Sequence, residues 1–63
     1  MTPKDWIVYV DPKGFTRAVI CTHLPDNGQE YYLEKEGNKI IGYVSAAYEA
    51  DAVQYGDVTL RKD

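Results

Sequence analysis

The sequence predicts a small α+β domain: an antiparallel β-meander, one short helix packed on one face of it, and a C-terminal strand. Three observations lead there. β-branched and aromatic runs recur between Gly, Pro and Asn turn signals through the first two thirds of the chain, the pattern of strands joined by hairpins. Only residues 45–57, SAAYEADAVQYGD, place apolar residues at helical spacing. The last segment, DVTLR at 57–61, alternates again. A helix this short is marginal alone, since isolated helices need roughly 12–15 residues to persist. It must therefore lie on the sheet, in a two-layer arrangement. A small closed barrel is the rival architecture.

Taken in order, residues 6–10 (WIVYV) are β-branched and aromatic on both faces, as expected of a central strand or a covered edge. Asp11-Pro12-Lys13-Gly14 reads as a hairpin turn, with Pro at the second position and Gly free to take positive φ. Residues 15–22 return as a second strand, with Phe15, Arg17, Val19 and Cys21 on one face. Asn27-Gly28 is a type I′ signal, and residues 29–35 alternate as a third strand. Gly37-Asn38 reads as another tight hairpin turn, leading into a fourth strand at 39–44. Gly42 inside that strand marks a bulge or a close approach of another backbone.

In the helix, Ser45 is placed to cap the first turn and Gly56 to stop the last one in a left-handed conformation. Ala46, Ala50 and Val53 form one smooth face, the better candidate for packing on a sheet. Tyr48, Ala52 and Tyr55 form a neighbouring face, expected at the rim and available to a partner. If the far face of the sheet carries Tyr and Ile side chains, nothing else in the chain is left to cover it, and it invites a second copy or a partner.

Sixty-three residues is one domain, residues 1–63, with one small core. One cysteine and one histidine exclude an internal disulfide and a Cys/His zinc site. The remaining supports for a chain this short are close packing or association, so a homodimer or a bound partner is expected. Seven Lys+Arg stand against ten Asp+Glu, a formal net charge of −3. That balance, with cations scattered at Lys13, Arg17, Lys35, Lys39 and Arg61, argues against a direct grip on nucleic acid, which needs clustered cations. It fits solubility and a basic partner surface. The polar start MTPKD, the short apolar run after it and the absence of a span-length apolar stretch predict a cytoplasmic protein with no membrane partner.

Cys21 and His23 would point the same way on one strand, but no orienting motif or cleft accompanies them, so no catalysis and no cofactor are expected. The acids lack any metal-ligand spacing. Most belong to a solvated face; the functional alternative is that Glu30, Glu34, Glu49 and Asp51 imitate a phosphate backbone toward a basic site. Six Tyr, Trp6 and Phe15 make 13% of the chain aromatic, more rings than so small a core can hide. Tyrosine and tryptophan are favoured anchors at interfaces.

The stretch DNGQEYYLEKEG at 26–37 and the C-terminal YGDVTLRKD resemble the very small phage-encoded inhibitors of uracil-DNA glycosylase found in phi29-like phages. That resemblance implies a strand, an acidic Gly turn, a Tyr-Tyr strand, a short helix with an aromatic anchor and a closing strand. It also implies a homodimer that mimics DNA and occupies the glycosylase's DNA-binding site. Tyr48 matches the helical anchor by position, with Tyr43 as competitor. Residues 6–10 and 37–42 are additional to the family's pattern. A broader class shares the size, charge and aromatic content: small acidic phage proteins that switch off host nucleic-acid enzymes, among them anti-CRISPR proteins and RNA-polymerase inhibitors.

The expected function is accordingly a non-enzymatic inhibitor acting in the host cytoplasm on a nucleic-acid-processing protein. Its expected partner-binding residues are Tyr48, Tyr55, Tyr43, Glu49, Asp51, Glu30, Glu34 and Tyr32. The alternatives are a small single-strand nucleic-acid-binding domain and a structural or assembly subunit.

Overall fold

A computed structural model of the chain describes residues 3–21 and 28–61. They form an α+β fold in the order β1 (Lys4–Val10), β2 (Thr16–Ile20), α1 (Gly28–Lys35), β3 (Lys39–Ala46), α2 (Glu49–Tyr55) and a π-helix (Gly56–Leu60). The three strands make one antiparallel sheet in the order β2-β1-β3.

The first hairpin follows the turn chemistry of its sequence. Gly14 donates its backbone N–H to Asp11 O at 2.9 Å, and Asp11 donates to Phe15 O at 2.9 Å. Gly14 takes a φ of 92°. The Asp11 carboxylate locks the loop by accepting the backbone N–H groups of Lys13 and Phe15.

Beyond this hairpin the path is not a meander. β1 is central and antiparallel to both neighbours, so β2 and β3 run parallel to each other. Parallel strands cannot be joined by a tight hairpin, and the chain between them must cross the sheet. The third strand expected at 29–35 is instead the helix α1. GQEYYLEK contains no β-branched residue; Glu30 in its first turn and Lys35 in its last complement the helix dipole. Gly37, with φ 93°, ends it in the left-handed conformation. There Gly37 N–H donates to Glu34 O and Asn38 N–H to Leu33 O, and the Asn38 side chain adds a bond to Leu33 O. The Gly37-Asn38 pair is thus a helix stop rather than a hairpin turn. Of the expected Asn27-Gly28 turn, Asn27 lies outside the described residues and Gly28 opens α1.

Gly42 does mark a bulge. Val8 pairs with Gly42 and Tyr9 with Ile40, leaving Ile41 as the extra residue. What approaches Gly42 is a side chain: a Cβ there would lie 2.8 Å from Leu60 Cδ1.

The helix expected at 45–57 begins later. Ser45 and Ala46 remain in β3, paired with Asp5 and Lys4, and the Trp6 indole N–H donates to Ala46 O at 2.7 Å. Ser45 is therefore not a cap; extended Tyr48 occupies that position without a side-chain bond. Gly56 does not stop the helix either. Its φ of −62° is right-handed, and the chain continues as the π-helix, closed by Arg61 N–H to Gly56 O at 2.8 Å. The strand expected at 57–61 is absent for that reason.

The core joins Trp6, Val8, Ala18 and Val44 on one face of the sheet to Ala52 of α2, with Ile41, Ala46, Val53 and Leu60 packed around them. Ala52, placed on the rim by the sequence, is fully buried, whereas Ala50 is exposed. The far face is not bare. Ile7, flanked in register by Val19 and Tyr43, is only 1% exposed, so that face is closed at its centre.

Candidate interaction surface on the second helix

α2 lies across the sheet, touching all three strands. Ala52 and Gly56 are its buried side, and Glu49 and Asp51 charge its first turn. Carboxylates there are favoured by the unsatisfied N–H groups of a helix start. Tyr48 and Tyr55 are each 57% exposed, and Val58 on the π-helix is 78% exposed. From residue 48 to residue 60 the chain holds Glu49, Asp51 and Asp57 and no Lys or Arg. Neither Glu49 nor Asp51 makes an ion pair or side-chain hydrogen bond among the described residues. An exposed ridge with aromatic and aliphatic contact points and uncompensated carboxylates results. Tyr55 and Val58 share a shallow concavity with Asp51 and Gln54.

The π-helix is held in place by a polar clasp. Thr16 of β2 donates its hydroxyl to Asp57 Oδ1 at 2.9 Å, and Arg61 donates to Thr16 Oγ1 at 3.0 Å. Arg61 also lies 3.8 Å from Asp57. Leu60 fills the space over Gly42 from the same segment. Gly56 and Leu60 hold this segment against the sheet, and Val58 is left exposed.

The eight candidate residues do not assemble into one site. Tyr48, Glu49, Asp51 and Tyr55 come together on and beside α2. Glu30, Tyr32 and Glu34 sit on α1, which packs against β3. Glu30 and Glu34 share a side of that helix through i,i+4 spacing. Tyr31 and Tyr32 meet edge to face at 5.9 Å, and Lys35 Nζ lies 5.9 Å from the Tyr31 ring centre. Tyr43 is exposed but pairs with Ile7 on the sheet face turned away from α2, so it cannot join Tyr48 in one contact area. The Tyr-Tyr strand implied by the glycosylase-inhibitor resemblance is helical in this chain.

Residues missed by the sequence reading are Val58, hidden by an alternation that looked like a strand, and Phe15, expected on a strand face but standing exposed at the hairpin. Cys21 is half-buried at the end of β2, its N–H bonded to Asp5 O; His23 lies outside the described residues. No three His, Cys, Asp or Glu among the described residues gather as a metal site would require. No helix among them is long and apolar enough to cross a membrane. Comparison with known proteins finds no family model, no curated protein and no solved structure that matches this chain.

Proposed function

We propose that this chain is a non-enzymatic, phage-derived inhibitor that binds a host nucleic-acid-processing enzyme through α2 and the π-helix. The observation that carries the reading is the ridge from Tyr48 to Val58, where the carboxylates Glu49 and Asp51, unpaired among the described residues, stand beside exposed Tyr48, Tyr55 and Val58. An enzyme that holds nucleic acid presents cations for phosphates. Carboxylates on this ridge complement such a surface and speed encounter. Charge alone gives little affinity once exposed and screened; desolvated aromatic side chains supply the rest, with most of the energy in a few anchors. Tyr48 and Tyr55 take that role, and Glu30, Glu34 and Tyr32 on α1 form a separate, secondary acidic surface.

Uracil-DNA glycosylase is the first target to test. The experiment titrates this protein into a bacterial glycosylase assay on uracil-containing DNA, with complex formation followed by gel filtration. Stoichiometric inhibition with a co-eluting complex supports the assignment. No inhibition at large excess removes that enzyme, and the same titration against an RNA polymerase or a CRISPR effector then tests the broader class.

A further inference from the structure

Alongside α2, on the flank away from Tyr55, an open groove of about 680 Å³ separates the helix from the β1–β2 hairpin. Phe15, Ala50 and Val53 give it an apolar lining, and Glu49 and Asp57 bring carboxylates to it. The Phe15 ring is 60% exposed, although an apolar ring at a hairpin is stabilised by cover. Arg17 also lines the groove, on its hairpin side, and both it and Arg61 are already paired. Arg17 Nε lies 3.3 Å from Asp11 Oδ2, and Arg61 bonds Thr16. Asp57 accepts the Thr16 hydroxyl. Among the described residues, Glu49 is therefore the groove's carboxylate without an ion pair or side-chain hydrogen bond.

An aliphatic floor, a bare aromatic face and one free carboxylate together match a single kind of side chain. We propose that the groove takes an arginine of the partner protein. Its stem lies along Ala50 and Val53, its guanidinium plane against Phe15, and its N–H fork on Glu49. Arginine suits all three contacts: it covers apolar surface with its stem, stacks on aromatic rings and binds carboxylates through two parallel donors. Lysine supplies only the first and a point charge. The inference rests on the reading of α2 as an inhibitor's binding surface and extends that surface to a second flank.

The test uses the intact protein, labelled with ¹⁵N and titrated at low salt with N-acetyl-arginine amide, with the lysine and leucine amides as controls. Saturable amide shifts are expected at Phe15, Glu49, Ala50 and Val53 with arginine, smaller ones with lysine and none with leucine. Glu49→Gln should weaken the arginine response roughly threefold, in keeping with one exposed ion pair. Phe15→Ala should weaken it further while leaving the core amides of Val8 and Ala52 unmoved. Arginine shifts spread equally over Glu30 and Glu34, an equal response to leucine, or indifference to both substitutions would each overturn the proposal. The outcome is separable from that of the inhibition assay. Arginine binding without glycosylase inhibition leaves the groove and removes that enzyme; inhibition that survives both substitutions leaves the inhibitor and removes the groove.

Discussion

Gly56, where α2 passes into the π-helix, lies directly against Val8 at the centre of the sheet: a Cβ at residue 56 would overlap Val8 Cγ1 and crowd Val8 Cβ. Gly56 has ordinary right-handed backbone angles, so its importance is closeness rather than conformational freedom. Val8 is fully buried on the central strand and cannot move aside. Gly56→Ala is therefore expected to destabilise the fold by about 1–3 kcal/mol, the usual range for overpacking a core. Gly14, with φ 92° and open space around its Cα, provides the comparison: alanine there strains the backbone by about 1–2 kcal/mol without touching the core. Urea denaturation of both variants, with chemical shifts read at Val8, separates the mechanisms. An unperturbed Val8 in Gly56→Ala would disprove the close contact.

The order of burial on α2 gives a second test. Ala52 is fully buried and Ala50 is exposed, the reverse of the simplest reading of the helical spacing. Ala50→Lys should change stability within about 0.5 kcal/mol, the range for open surface sites. Ala52→Lys would place a cation in the core and should cost over ~3 kcal/mol or unfold the chain. Equal effects in thermal melts would mean that the helix face is wrongly assigned.

Trp6 fastens the end of β3 through its indole N–H to Ala46 O. Trp6→Phe keeps most of the apolar area but leaves that carbonyl without its donor, for an expected loss of about 1–2 kcal/mol. Hydrogen exchange should quicken at Ser45 and Ala46 before it quickens in β2. Uniform acceleration across the sheet would show instead that the ring's bulk, not its N–H, is what matters.

Asp11 links the first hairpin to acid stability. The Phe15 backbone N–H, helped by the Arg17 side chain and the Lys13 N–H, holds its carboxyl below the ordinary value against a smaller opposing effect of burial. A group whose folded pKa is depressed contributes stability that is complete above its unfolded value and is lost as pH falls through the folded one. The contribution should therefore be complete above about pH 4, begin to fall there and be lost only as pH drops through the depressed folded value. Asp11→Asn retains an oxygen acceptor for the turn but does not titrate, so its denaturation midpoint should fall less steeply than that of the parent between neutral and acid pH. Identical slopes would remove Asp11 from the acid limb.

For the proposed function, Tyr48→Ala should cost over ~2 kcal/mol in binding the target enzyme, as an anchor does, with no loss of fold because the ring is exposed. Tyr43→Ala, on the opposite sheet face, should leave affinity unchanged within a factor of about two. A Tyr48→Ala loss smaller than tenfold, about 1.4 kcal/mol, would shift the anchor role to Tyr55 or Val58.

The local chemistry of the chain set several features without help from the fold. Asp11, Pro12 and Gly14 built the first hairpin, β-branched residues made β1 and β2 strands, and Gly42 placed the bulge. The α+β class followed from those runs and the 45–57 spacing. These features depend on backbone sterics and side-chain period within a few residues, which a sequence displays directly. The acidic, aromatic character of α2 was equally visible. Two segments whose alternation predicts strands, 29–35 and 57–60, are helical. In 29–35 the absence of β-branched residues, together with Gly37 as a left-handed stop, was a usable signal of a helix. In 57–60 no local signal was present.

Tertiary structure alone decided the remainder. Gly56 is needed at Val8 rather than at a helix end, so the chain winds on into the π-helix and turns Val58 outward. The pairing of Ala46 with Lys4 and its bond to Trp6 delay the start of α2, which exchanges the roles of Ala50 and Ala52. The central position of β1 makes β2 and β3 parallel and sends the chain across the sheet, separating Tyr43 from Tyr48. Each of these outcomes follows from a contact between residues far apart in the chain, whose energy no local pattern encodes.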